Sequence, residues 1–216
     1  MPRLLHTSSG MPLALEGSPA FDWLAAGVVA LLLTLAIGLL ARSVATASLF
    51  NRALARYRQG DYEHAIPLLE QTIARQRSND MARLLLGDAL IQQNRLEEAV
   101  EVLRQSVARS PQNVDAHLSL GKAKLQQGNP DSAIAEFQQA ASIKPSRYPE
   151  AHRVLGLALQ QQSEAERARE ALERARAIYA ANGVEAMVAA VDRELQQLAE
   201  PPSPAAEDAE PSEQHS

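Results

Sequence analysis

Two successive stretches of 34 residues follow one pattern. Residues 80–113 read DMARLLLGDALIQQNRLEEAVEVLRQSVARSPQN, and residues 114–147 read VDAHLSLGKAKLQQGNPDSAIAEFQQAASIKPSR. Small residues, large apolar residues and prolines recur at the same offset: Gly87 and Gly121, Ala99 and Ala133, Leu103 and Phe137, Pro111 and Pro145. The same small residues return 34 positions upstream and 35 downstream, so residues 46–182 hold four copies, at 46–79, 80–113, 114–147 and 149–182.

Each copy reads as two helices of about 13 residues joined by a short turn, such as Gln59-Gly60-Asp61. Glycine and asparagine at these turns can take a positive φ. A helix pair of this size cannot bury its apolar face alone, so it stacks on its neighbours. The small residues that recur at fixed positions let the paired helices approach closely, and Leu103, Phe137 and Leu172 fill the space between layers. The pattern predicts an all-α solenoid of four helix pairs.

This pattern resembles the tetratricopeptide repeat (TPR) family, whose consensus has Leu-Gly in the first helix, Ala and then a large residue in the second, and Pro at the end. The second and third copies match it best, through Leu86-Gly87 and Leu120-Gly121. The family's first-helix Trp is missing from every copy, where Leu49, Arg83, His117 and His152 stand instead. The resemblance implies a module that binds proteins and has no catalytic activity.

In the family, the second, fifth, ninth and twelfth positions of the first helices line a concave groove. The resemblance therefore implies a partner-binding groove lined by Phe50, Leu54, Tyr57, Met81, Leu84, Asp88, Ile91, Asp115, Leu118, Lys122, Leu125, Glu150, Arg153, Leu157 and Gln160. An apolar strip with a few charges suits a protein or peptide segment. The alternative is that part of the strip packs within the superhelix or against the membrane-proximal helix.

An apolar segment precedes the repeats. Residues 24–41 carry no charge, Trp23 stands before them and Arg42 after them, which predicts a transmembrane helix over 21–42 and the lipid bilayer as a partner. Residues 1–20 are predicted to be a flexible arm. More arginines follow the span than precede it, so the positive-inside rule predicts a single-pass protein with a cytoplasmic body. The alternative is a signal peptide cleaved after Ala47, which would make an exported soluble TPR module.

The C-terminal part divides at Gly183. Apolar residues recur at helical spacing over 183–199, which predicts one more helix that caps the last repeat. Prolines and acidic residues fill 200–216, which predicts a disordered acidic tail.

Composition excludes several functions. The chain has no cysteine, and residues 43–199 carry 19 basic and 19 acidic residues, so a nucleic-acid-binding face is not expected. No catalytic motif, cofactor motif or small-molecule substrate site is recognisable. His117 and His152, with Asp115 and Glu150 nearby, are the one candidate metal site, but we expect both imidazoles to fill the aromatic slot instead, with no metal. The sequence therefore predicts a membrane-anchored scaffold, not an enzyme.

Overall fold

The computed structural model describes residues 19–199, so the predicted tail and nearly all of the predicted arm lie outside the described residues. Between residues 19 and 199 the chain forms helices and no strand, as the repeats predict. The helices are α1 Pro19–Arg58, α2 Tyr62–Arg75, α3 Asp80–Gln92, α4 Leu96–Arg109, α5 Val114–Gln126, α6 Pro130–Ile143, α7 Pro149–Gln161, α8 Ala165–Ala181 and α9 Glu185–Ala199.

Helix α1 is longer than the sequence pattern indicates. We expected a span over 21–42 and a separate repeat helix from residue 46, but one helix runs from Pro19 to Arg58. No glycine or proline lies between Gly38 and Arg58 to break it, and the Thr46 hydroxyl donates within the helix to the Arg42 carbonyl at 2.9 Å. By compactness the chain divides into two units, Met1–Ala47 and Ser48–Ser216.

The turn inside each repeat copy has one residue with a positive φ. These residues are Gly60 at 75°, Asn94 at 57°, Gly128 at 78° and Ser163 at 61°, and their spacing is 34, 34 and 35 residues. The same turn therefore recurs in all four copies. Glycine and asparagine adopt this conformation readily, whereas Ser163 holds it although its side chain disfavours it.

Close packing between the two helices of a copy explains the glycine column. A Cβ atom placed on Gly121 would lie 2.4 Å from Cε1 of the Phe137 ring, and one on Gly87 would lie 2.5 Å from the Leu103 side chain. Leu103 and Phe137 are buried, with 0% and 1% of their surface exposed. In these two copies the large residue of the second helix thus fills the space left by the glycine of the first helix, so the small residues let the paired helices approach closely, as predicted.

Helix α9 continues the stack after the fourth copy. It packs on α8 and also contacts α7, which is the place that the first helix of a fifth copy would take. Val191 of α9 is buried against Leu172, Ala175 and Tyr179 of α8. Val184, just before α9, remains 40% exposed, although the spacing places it on the same apolar face.

Candidate partner-binding groove

The predicted groove residues lie on the first helices of the four copies, namely the C-terminal part of α1, α3, α5 and α7. Hydrogen bonds and packing show that these helices are neighbours. The Tyr57 hydroxyl of α1 donates to the Asp88 carboxylate of α3, and α3 contacts α5. At the far end, Arg153 of α7 donates to Glu194 of α9. The row of first helices, which we call the groove face, is therefore completed by α9.

Two of the predicted groove residues are buried, which differs from the expectation. Ile91 is 6% exposed and belongs to the same apolar cluster as Leu120 of α5. Leu118 is 8% exposed and belongs to a cluster with Ala151 and Ala158 of α7. Both side chains are covered by the packed helices, so for these two positions the alternative of packing within the superhelix holds.

The first end of the groove face is closed by a tyrosine. The Tyr57 ring packs edge-on against Tyr62, with 5.4 Å between ring centroids, while its hydroxyl is bound to Asp88. Burial raises the pKa of Tyr57, and the neighbouring Asp88 carboxylate raises it further, so the hydroxyl keeps its proton and remains a donor. Phe50 and Leu54, also predicted groove residues, are half-buried nearby on α1.

The far end of the groove face holds an ion-pair network. Nη2 of Arg153 lies 2.6 Å from Oε1 of Glu194, and Nη1 lies 3.4 Å from Oε2 of Glu150. The Glu194 carboxylate raises the pKa of Arg153 despite its partial burial. The Tyr179 hydroxyl donates to Glu150 at 3.0 Å, and burial together with this carboxylate raises the pKa of Tyr179 to about 12. Arg153 is thus bound by the protein's own carboxylates. Leu157 and Gln160, on the same helix, are half-buried.

The centre of the groove face is its open part. Met81 is 57% exposed, Leu84 and Leu125 are half-buried, and Asp115 and Lys122 are exposed. Neither Asp115 nor Lys122 forms an ion pair with any residue in the range 19–199. We call these five residues the central window. Apolar side chains beside two unpaired charges of opposite sign are suited to contact a polypeptide.

The slot that holds Trp in the family consensus has a common role in three copies. Arg83, His117 and His152 each donate to a carbonyl in the loop before their helix, at Arg77, Pro111 and Pro145. A planar side chain with an N–H group therefore satisfies a loop carbonyl from the preceding copy. His117 also contacts Glu136 rather than Asp115. No group of three His, Asp or Glu residues within 19–199 is arranged to hold a metal ion.

Sequence reasoning missed two carboxylates, Glu194, which pairs with the groove residue Arg153, and Glu136. Glu194 lies at the edge of the apolar face of α9, and the apolar spacing did not indicate its pairing with Arg153. Glu136 of α6 binds both His117 and Lys124 of α5. Both carboxylates pair with residues of other helices. The signal in the sequence was the presence of an acidic residue on a helix that follows a helix with a cation.

Comparisons with known proteins agree with the fold. Two sequence profiles described as tetratricopeptide repeat match residues 50–114 and 97–158, and together they span just over half of the chain. Comparison with curated protein sequences finds no match.

Solved structures give the same result. MamA (41-end) from Desulfovibrio magneticus RS-1 is 21% identical, with a TM-score of 0.58 over 63% of this chain and 76% of that one. TTC0263, a thermophilic TPR protein of Thermus thermophilus, is 18% identical, with a TM-score of 0.55 over 71% and 91%. The type III secretion translocator chaperone SycD of Yersinia enterocolitica is 18% identical, with a TM-score of 0.51 over 60% and 85%. The chain belongs to the tetratricopeptide repeat family and carries a protein-interaction solenoid.

Proposed function

We propose that this protein is a membrane-anchored adaptor whose groove face binds a segment of a partner protein and recruits it to a bilayer. The observation that carries the proposal is the central window, where Met81 is 57% exposed and neither Asp115 nor Lys122 is paired within residues 19–199. The two ends of the groove face are occupied by the protein's own contacts, so the window is the part left for a partner. An adaptor of this kind needs no catalytic group.

The anchoring part of the proposal rests on α1. Residues 26–58 include an 18-residue window with a mean hydropathy of 2.3, none of it buried. Leu39 is 69% exposed and Ile37 is 65% exposed. At about 1.5 Å per residue, residues 21–41 extend about 31 Å, which matches the hydrocarbon core of a bilayer at about 30 Å. Lipid around this helix would cover apolar surface that the protein leaves exposed. The arginine count supports a cytoplasmic position for the repeats.

An exported soluble module is the second candidate, and one observation favours it. The compact unit begins at Ser48, the residue that would become the N-terminus after cleavage behind Ala47. A signal sequence near the N-terminus is as apolar as a short membrane span, so the two candidates differ in the fate of α1 and not in its composition. In this second candidate the groove face would bind its partner outside the cytoplasm.

One preparation tests both parts of the proposal. Membranes from cells that express the tagged full-length chain are washed with carbonate, the protein is extracted in detergent, and its N-terminus is determined by mass spectrometry. We expect the chain to stay in the membrane fraction with residues 1–47 attached. A mature chain that starts at Ser48 would refute the anchor and support the exported module.

The same extract tests the groove through captured partners. Met81→Glu places a charge on an exposed residue of the window, so we expect the helical circular dichroism to be kept and the specific co-purifying protein to be lost. Glu98→Arg, on an exposed position of α4, is the matched control and should retain the partner. Capture that survives both Met81→Glu and Lys122→Glu would place the binding surface elsewhere.

A further inference from the structure

The third repeat copy contains a buried histidine whose two ring nitrogens are both bound. His117 is 5% exposed, and Nε2 of its ring lies 3.1 Å from the Pro111 carbonyl oxygen. Nδ1 lies 2.8 Å from Oε2 of Glu136, and the other oxygen of Glu136 accepts from Lys124 at 2.7 Å. Both ring nitrogens of this buried histidine are therefore bound, and a carboxylate occupies the space beside Nδ1.

The fourth copy has the same histidine without the carboxylate. His152 is 4% exposed, and its Nε2 lies 2.8 Å from the Pro145 carbonyl oxygen, as in the third copy. A step of 35 residues takes Glu136 to Ala171 and Lys124 to Leu159. Nδ1 of His152 accordingly has no hydrogen-bond partner among the described residues. A buried polar atom in this state is unusual, because leaving a buried donor or acceptor unpaired destabilises the folded protein.

A cavity lies where the side chain of Glu136 lies in the third copy. It measures about 100 Å³, and its wall includes His152, Leu155, Leu159 and Ala171 together with Gln138, Arg167, Glu170 and Arg174. A second cavity of about 320 Å³ is also lined by His152 and Arg174, beside Pro145 and Ile178. The replacement of Glu136 by the small Ala171 explains the space beside the ring. The wall combines apolar and charged side chains, and Arg174, with 62% of its side chain exposed, is paired there with Glu170.

The chemistry of the pocket follows from the third copy. Nε2 of His152 faces a carbonyl oxygen and must carry a proton, so Nδ1 is the nitrogen free to contact a ligand. We infer that the pocket of the fourth copy binds a carboxylate group, which takes the place beside His152 Nδ1 that Glu136 has beside His117. The imidazole takes up one proton from solvent at Nδ1 and donates it to the bound oxygen. Arg174, which also lines the pocket, is paired with Glu170 at 2.6 Å, so the protonated imidazole of His152 is the positive charge that meets the bound oxygen.

The carboxylate can come from a free organic acid, from an acidic side chain of another polypeptide, or from the acidic residues that follow Ala199 in this chain. All three present the same group to His152. The free acid and the polypeptide must be added to fill the pocket, whereas the chain's own acidic residues must be removed to empty it. One set of titrations therefore distinguishes the three sources.

The test is nuclear magnetic resonance of the full-length chain in detergent micelles, with ¹⁵N-labelled histidine. Three probes are compared: acetate, a glutamate-containing peptide with blocked ends, and the intact chain against one truncated after Ala199. We expect the ¹⁵N resonance of His152 Nδ1 to shift to the value of a protonated, hydrogen-bonded nitrogen. This shift should saturate with one of these carboxylates. The His117 resonances should not respond, because Glu136 already fills that site.

Two variants make the test decisive. Ala171→Glu rebuilds the third-copy cluster, so Nδ1 of His152 should resemble that of His117 before any ligand is added, and the affinity for the probe should fall about tenfold or more. His152→Phe keeps a planar ring in the slot and should abolish binding, which also covers the case that Ala171→Glu fails to fold. Because this variant lacks the reporting nitrogen, its binding is read from saturation-transfer difference signals of the added acetate or peptide. A His152 Nδ1 signal unaffected by acetate, peptide and truncation would overturn the inference, and so would unchanged probe binding by His152→Phe.

Discussion

Replacing Gly121 with alanine puts a methyl group where the Phe137 ring lies. The added Cβ would be 2.4 Å from Cε1 and 2.7 Å from Cδ1 of the ring, and Phe137 is only 1% exposed, so the ring has little room to move. Overpacking of this kind costs about 1–3 kcal/mol. Alanine in a helix interior returns about 1 kcal/mol relative to glycine. We therefore expect Gly121→Ala to lower the free energy of unfolding by about 0–2 kcal/mol.

The sign of this effect should change when the ring is removed. Phe137→Ala should itself cost about 3–5 kcal/mol through lost burial and a cavity. In that background the methyl group of Gly121→Ala meets empty space, so only the gain in helix propensity remains, and the second change should stabilise by about 1 kcal/mol. The two substitutions should therefore be coupled by about 1–3 kcal/mol, in the range found for residues in contact.

Urea unfolding of the fragment 48–216, followed by circular dichroism, measures all four members of the cycle. Gly128→Ala is the matched control, because Gly128 has a φ of 78° and no atom near its missing Cβ. It should destabilise both backgrounds equally through backbone strain. If Gly121→Ala has the same effect with and without the Phe137 ring, the contact between the two helices has been assigned incorrectly.

Two carboxylates give further predictions. Burial would raise the pKa of Glu136, but hydrogen bonds from Lys124 and His117 outweigh it and hold the pKa below its usual range. The stabilisation by Glu136 should therefore be full above the unfolded carboxyl pKa of about 4.3 and disappear as the pH falls through the lower folded pKa. Glu136→Gln should be less stable than the wild type in urea titrations at neutral pH and equally stable in acid. A stability difference that stays constant with pH would contradict this. Glu194→Gln should weaken the contact with Arg153 by about 1–2 kcal/mol and speed amide exchange in α9, whereas the exposed Glu101→Gln should not.

The sequence predicts the structural features that recur with the 34-residue repeat. The 34-residue spacing relates Gly87 to Gly121 and Leu103 to Phe137, and the structure places each glycine against the large residue of its own copy. It also assigns the turn residues Gly60 and Gly128 the positive φ that they have. Ser163 takes the same conformation without glycine or asparagine, so only its position in the repeat reveals it.

Contacts between copies were harder to predict. The repeat places Leu84 and Leu118 at equivalent positions, yet Leu84 is half-buried and Leu118 is 8% exposed. Their burial depends on which side chains the next copy presents, and these differ from copy to copy. The contact of Arg153 with Glu194 joins residues 41 positions apart through the docking of α9, which the spacing of apolar residues alone does not specify.

Helix α9 also determines how copies of this protein can associate. It covers the surface of α8 and α7 on which the first helix of a fifth repeat would dock. A second molecule therefore cannot join at this end by continuing the internal repeat contact, because its first repeat would have to displace α9 and the Arg153–Glu194 ion pair. Head-to-tail addition of this kind generates rings or open filaments, and a terminal helix on the docking surface blocks both at this end.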